Sequence, residues 1–285
     1  MKRHGAFAVL LVGLLAASAG GALVQQREPP VPKELLDRTS WWVERFLAGY
    51  QGLAAEELLV QTRWDRRGRV SAERRIISDY FLVRFPSAGE LAELRDAVQV
   101  DERELASEAE RRRKWPQLLA ARSRAELAAL VDDPEKHRLA PEVFGNLGLL
   151  ATRFSERNRD RVRYFFAQDT SDAGAALTPV GYRQWDGASL VAPDTDAYPA
   201  GVAWIDPDDG HIGRIVDEFK LKNAAYSVEV EYGPEPALGV WVPLRAIVRV
   251  FDKGRLAEQN VYSYFRYRRL TAAARADSAE TAPTP

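Results

Sequence analysis

The chain contains no cysteine, one methionine and three histidines in 285 residues. Without thiols there is no disulfide framework, no thiol nucleophile, no Cys-ligated metal and no Cys-anchored lipid. The fold must therefore be held by its packed core. A composition of 46% hydrophobic and 28% charged residues is enough to build one. An excess of one charge is also missing. The 40 Lys and Arg stand against 41 Asp and Glu, so there is no global pull toward nucleic acid. No Walker loop, no G-x-G-x-x-G, no G-x-S-x-G and no repeat of fixed period occurs.

Histidine chemistry is equally thin. His4 belongs to the N-terminal segment and His137 sits in a charged loop, DDPEKHR, where solvation explains it. His211 follows Asp206-Pro207-Asp208-Asp209-Gly210. That cluster invites a metal reading, but Gly210 stands where a calcium loop needs a ligand, and the same residues satisfy a tight hairpin. Neither a metal nor a cofactor is expected. Carboxylates are plentiful, yet nothing selects one pair for glycosidase-type work.

Long apolar runs are scarce. The one near the N-terminus, Ala6 to Ala17, is preceded by Lys2 and Arg3 and ends in Ala17-Ser18-Ala19. That is the order of a cleavable signal peptide, expected over residues 1–22, and it implies export to the periplasm. Pro-rich residues 23–32 read as a linker, and 271–285, which lack bulky apolar groups, as a disordered tail. A single domain is expected over 33–270.

Within it, Leu35, Leu36, Thr39, Trp42, Val43, Phe46, Leu47 and Tyr50 recur at helical spacing and predict an amphipathic helix over 33–51. The period then changes to two. Leu58, Val60, Thr62 and Trp64 lead to a turn at Asp65–Gly68, and Ile77, Phe81, Val83 and Phe85 return. A weaker strand is expected around 94–104. Capping boxes at Ser107 and Ser123 place helices in 107–131, with Pro116 interrupting them, and a short apolar helix is expected over 146–154. Beyond Arg159 the pattern is β-meander, with strands at 160–168, 178–185, 201–206, 211–221, 224–232, 240–251 and 256–268. The fold class is α+β, mainly antiparallel β. A sheet of about ten strands curls, and a curled sheet needs an apolar filling in its concavity. The N-terminal helix and a helical insertion (about 107–154) are expected in its concave side.

Two basic clusters, Arg111–Lys114 and Arg153 to Arg163, read as solvated faces or as contacts for an anionic membrane surface. Aromatic residues load the meander. Most belong in a core, but such a lining also suits an acyl chain, which needs no catalytic group.

The stretch GVAWIDPDDGHIGR (201–214), an aromatic-Ile-Asp-Pro-x-x-Gly hairpin followed by alternating strands, resembles the outer-membrane lipoprotein-sorting carriers of the bacterial periplasm. LGVWVPLRAIVRVF and NVYSYFRYRR extend the likeness over 200–268. The resemblance implies a curved, unclosed β-barrel that holds acyl chains of lipoproteins under helices. This chain is longer through 107–158. On that basis Trp204, Tyr226, Val228, Val230, Val248 and Val250 are expected to line a ligand wall, with Trp42 and Phe46 on a helix lid. The expected function is non-enzymatic binding of an acyl chain or lipidated protein by a monomer. A filled, non-catalytic envelope module, or a hydrolase built on converging carboxylates or His211, are the alternatives.

Overall fold

The computed structural model describes residues 29–50, 52–84, 91–121, 123–141, 146–167, 176–190, 197–221 and 224–269. The expected signal peptide, residues 23–28 of the linker and the expected tail therefore lie outside the described residues. Helix α1 (Lys33–Tyr50) runs directly into β1 (Leu53–Trp64), β2 (Val70–Arg84), β3 (Leu91–Val100) and the short β4 (Arg103–Glu104). Helices α2 (Glu108–Ala120) and α3 (Arg124–Leu130) follow, then 3₁₀ turns at Pro134–His137, Leu147–Phe154 and Glu156–Arg161. The meander comprises β5 (Val162–Phe166), β6 (Thr178–Gln184), β7 (Ala200–Ile205), β8 (Ile212–Leu221), β9 (Ala224–Glu235), β10 (Val240–Asp252) and β11 (Arg255–Arg269).

All these strands form one eleven-stranded sheet in the order β4-β3-β2-β1-β11-β10-β9-β8-β7-β6-β5. Every pairing is antiparallel, and the first strand meets the last, Leu59 opposite Tyr262 and Val60 opposite Val261. The two edges, β4 and β5, are not joined. The expected curved, unclosed barrel is thus the observed architecture. The strands beyond Arg159 match their expected ranges within three residues, because turn chemistry separates them cleanly.

The chain between the edges has to cross the sheet, and this corrects one expectation. The insertion does not lie wholly in the concave side. Helices α2 and α3 cover the outer face, where Leu118 and Leu127 pack with Ala54 and Phe81 as a small second core. Their charges are matched to that face: Arg111 binds buried Asp79 at 2.6 Å and Lys114 binds buried Asp96 at 3.1 Å. The chain then rounds the β3 edge, where the Ala97 N–H donates to the Asp132 carbonyl. Only from there does it enter the inner face, with Leu147, Leu150, Ala151 and Phe154 joining the main core. That last segment winds as 3₁₀ rather than α. Pro116 lies inside α2 rather than breaking it, and the helix ends a turn later at Ala120.

The phase of β1 and β2 also differs from expectation. The inner face takes Leu53, Ala55 and Leu59 of β1 with Ile76, Tyr80 and Leu82 of β2, while Ala54 and Phe81 face outward. Both faces are covered here, so apolar alternation does not distinguish them.

Helix α1 buries Leu35, Trp42, Val43, Phe46, Leu47 and Tyr50 on the inner face. At roughly 1.5–3 kcal/mol for each fully buried large apolar side chain, this is the largest single burial by any helix here. Gly210 of the β7–β8 hairpin touches the α1 backbone: a Cβ there would sit 2.5 Å from the Arg38 carbonyl carbon, and its φ is +79°. Gly210→Ala should therefore cost about 2 kcal/mol or more, measured as a lowered urea midpoint. Gly239→Ala, also at positive φ but in open space, should cost less.

Candidate functional site

The inner face divides into three zones. Beneath α1 is an aromatic ladder. Trp42 stacks on Phe46 (5.3 Å between centroids) and Phe46 on Tyr50 (5.1 Å), while Tyr232 meets both Trp42 and Phe46 edge-on. Trp241 closes the ladder against Trp42 at 5.8 Å. The two expected lid residues are therefore buried as a unit against β9 and β10.

The second zone is the apolar wall. Val228, Val230 and Val248 are fully or nearly fully buried, with Ile215, Ala246 and Phe219 beside them. Val248 lies opposite Val228, and Val250 opposite Tyr226. Tyr226 is partly buried and stacks on Phe219 at 5.1 Å, and Val250 is partly exposed toward the strand ends. Five of the six expected wall residues thus occupy consecutive inward positions of β9 and β10. Trp204 does not join them. Its neighbours Ala203 and Ile205 belong to the inner core, and Trp204 lies on the opposite face under the Arg214 guanidinium, 4.5 Å from the ring centroid. Strand alternation explains the difference.

The third zone was not anticipated. Under β1–β3, buried Glu57 accepts from Arg95 Nε at 2.8 Å through both carboxylate oxygens, and Glu93 accepts from Arg95 Nη2 at 3.1 Å. The Arg95 guanidinium lies over the rings of Tyr80 (5.3 Å) and Tyr262 (5.8 Å). Arg138 donates to the Tyr262 hydroxyl at 2.8 Å, and Tyr50 and Tyr80 share a hydrogen bond of 2.5 Å. Burial pushes the hydroxyls of Tyr50, Tyr80, Tyr264 and Tyr267 well above the usual tyrosine range. Glu57 alternates in phase with Leu53, Ala55 and Leu59. The alternation of Leu58, Val60, Thr62 and Trp64 gives the opposite phase for this strand, so the sequence offers no readable signal of this centre.

A second buried pair fixes the roof. Arg153, from the 147–154 segment, donates to Asp217 of β8 at 3.1 Å, and the Tyr182 hydroxyl donates to the same carboxylate. Tyr232 donates to the Gly148 carbonyl at 3.2 Å.

Asp206, Asp209 and His211 bring ligand atoms within 4.8 Å of one another. Those groups are used within the turn. Asp206 Oδ1 accepts the N–H groups of Asp208 and Asp209, and Asp209 Oδ1 accepts that of His211. The His211 ring packs 4.4 Å from Trp241. A surface depression of about 570 Å³ at the β3–β4 edge is lined by Arg74, Asp101, Arg103 and His137 with Val100 and Leu105, and is of mixed charge. No helix among the described residues is long and apolar enough to cross a membrane.

A single antiparallel sheet that is not closed into a barrel, with helices lying across it, is the plan that the resemblance to lipoprotein-sorting carriers implies. No protein-family model matches the chain, and no curated protein matches it. Among solved structures it is similar to a Vibrio parahaemolyticus domain provisionally assigned to outer-membrane lipoprotein sorting. The identity is 9% and the TM-score 0.42, over 86% of this chain and 97% of that one. A DUF1329 family protein from Desulfovibrio piger is 12% identical with a TM-score of 0.40, over 86% and 96%. MucB in the Pseudomonas aeruginosa MucA/MucB complex gives a TM-score of 0.19 at 11% identity, over 82% and 99%.

Two outcomes follow from the buried polar centre. Arg95→Met leaves two carboxylates without their shared guanidinium and should destabilise the protein by about 3–5 kcal/mol. Glu57→Gln, which keeps the shape, should cost less, both read by urea unfolding. The buried tyrosines give a pH signature. Their folded-state pKa values are raised, so the stability they contribute is whole below the ordinary tyrosine pKa of about 10 and falls as pH rises beyond it. Phenolate absorbance from these buried tyrosines should then appear in one cooperative step with alkaline unfolding.

Proposed function

We propose that the protein is a non-enzymatic carrier that holds an acyl chain, free or attached to a protein, along the inner wall of its open barrel. The observation that carries this reading is the continuous stripe of Val228, Val230, Ala246 and Val248, which faces α1 and the 147–154 segment rather than a second sheet. Short helical segments can swing away from a sheet without breaking strand hydrogen bonds, and each methylene buried on such a wall is worth about 0.8 kcal/mol. The wall needs no reacting group. The described inner-face carboxylates Glu57, Glu93, Asp217 and Glu258 each pair with an arginine, which suits anchoring better than hydrolysis. In this reading α1 is the lid and the periplasm the place of action, with the signal peptide removed after export.

Mass spectrometry of the purified protein should reveal co-purified lipid, and a fluorescent fatty acid should bind and be displaced by unlabelled palmitate. Val230→Trp fills the wall and should weaken that binding at least tenfold while the far-UV spectrum is kept. A lipid-free preparation that ignores the probe would leave a filled envelope module as the better description.

A further inference from the structure

The basic runs most conspicuous in the sequence are largely committed to internal partners. Arg111 and Lys114 hold Asp79 and Asp96, Arg153 holds Asp217, and Arg159 holds Asp37 at 2.5 Å. Uncommitted positive charge gathers elsewhere, at the tips of two hairpins. The β1–β2 tip carries Arg66, Arg67 and Arg69, and the β10–β11 tip carries Lys253 and Arg255, all exposed. No ion pair involves any of these five among the described residues. The pairing of β1 with β11 sets the tips side by side, and Arg255 donates to the Arg66 carbonyl at 3.1 Å. The β1–β2 tip is preorganised: Asp65 turns its carboxylate inward onto the N–H groups of Arg67 and Arg69, and Gly68 takes φ +74°.

Register extends this end of the sheet into a rim. Thr62 pairs with Gln259, Gln259 with Arg249, Arg249 with Ser227, Ser227 with Glu218, and Glu218 with Ala200 at the start of β7. Trp185, just past β6, and Tyr198, just before β7, lie at the same level. Both are exposed, at 49% and 44%, and Val70 beside the basic tip is 59% exposed. Three of the five large hydrophobic residues that are exposed among the described ones thus share a rim with the unpaired arginines. Trp185 is itself paired with Arg163, 5.1 Å from its ring. Exposed aromatic side chains and unpaired cations on one rim are the combination that sits well at a lipid headgroup layer.

We infer that this rim, formed by the strand ends at 63–70 and 252–255 with Trp185 and Tyr198, docks the protein on an anionic phospholipid bilayer. The cations meet phosphate, and Trp185, Tyr198 and Val70 enter the headgroup region. The same rim borders Tyr226 and Val250, the most exposed part of the apolar wall, so a docked molecule would present its wall to the bilayer. The inference stands on surface charge and exposure and does not require the carrier reading.

Flotation of the purified protein, as processed by the cell that expresses it, tests this with vesicles of mixed phosphatidylglycerol and phosphatidylcholine and with phosphatidylcholine alone. Binding should require phosphatidylglycerol and weaken with salt. Arg66→Glu/Arg67→Glu should lower the partition coefficient about tenfold or more, as should Lys253→Glu/Arg255→Glu on the other hairpin. Arg112→Glu/Arg113→Glu, with the same change in net charge on exposed α2 positions, should change it less than about twofold. Fatty-acid binding by the tip variants should match that of the parent, which separates this outcome from that of the carrier reading. Equal binding to both vesicles, tip variants that bind like the parent, or an α2 control that loses as much would each overturn the inference.

Discussion

The pairing of β1 with β11 governs the rest of the molecule. Because the first strand finds the last in the middle of the sheet, the free edges fall at β4 and β5, which are separated in sequence only by the helical insertion. That connection must travel from one edge of an eleven-stranded sheet to the other, and it does so by lining faces on the way. It covers the outer side of β1–β3 first, turns round β3, and then roofs the inner side over β8–β10. The sheet remains open for the same reason: the two edges are held apart by chain that occupies the concavity. The edge at β5 is also blunted from the N-terminal side, where Pro30 bridges Phe165 and Phe166 donates to the Pro29 carbonyl. Proline is suited to that place, since it offers no further N–H for another strand to read.

The inner face is consequently asymmetric. Toward β8–β10 it is aliphatic and roofed by segments that contact it through side chains. Toward β1–β3 it holds Glu57, Glu93 and Arg95 among tyrosine rings. Buried ion pairs of this kind add little net stability compared with apolar packing, but removing one partner is costly. They fix the rotational and translational register of what lies above them. The Arg153–Asp217 pair does this for the roof, and Arg138 on Tyr262 does it where the insertion crosses β1 and β11. The concavity is therefore pinned on both sides, by Arg95 with Glu57 and Glu93 toward β1–β3 and by Arg153 with Asp217 toward β8, and the aliphatic stripe of β9 and β10 lies between them.

Much of this plan is legible in the residues. The alternation of Tyr226, Val228, Val230 and Tyr232 against Ser227, Glu229 and Glu231 marks β9 and its inward face, because there the other side meets water or surface ion pairs such as Glu229 with Arg214 and Arg249. The helical stripe from Leu35 to Tyr50 marks α1 for a similar reason. The phase of β1 and β2 is not legible, since α2 and α3 cover their second face and both phases carry apolar residues. The side taken by the insertion is hidden as well. Arg111 and Lys114 look like solvated charges until Asp79 and Asp96, distant in sequence, are found buried beneath them. Trp204 shows the complementary error: an aromatic in a meander is easily taken as inward, but its strand neighbours Ala203 and Ile205 already hold the inward positions.

The same accounting of charge explains where the surface is available for partners. In a chain with nearly balanced charge, a local excess of one sign requires the opposite sign to be used elsewhere. Asp79, Asp96 and Asp217 are buried, and each binds a cation supplied by the insertion. Asp65 is turned onto backbone amides at its own hairpin. With carboxylates occupied in the interior and in turns, the arginines of the β1–β2 and β10–β11 tips face solvent and enter no ion pair among the described residues. The polarity of the rim is thus a consequence of how the crossing segment is anchored, and one set of ion pairs serves both the fold and the electrostatics of its exposed end.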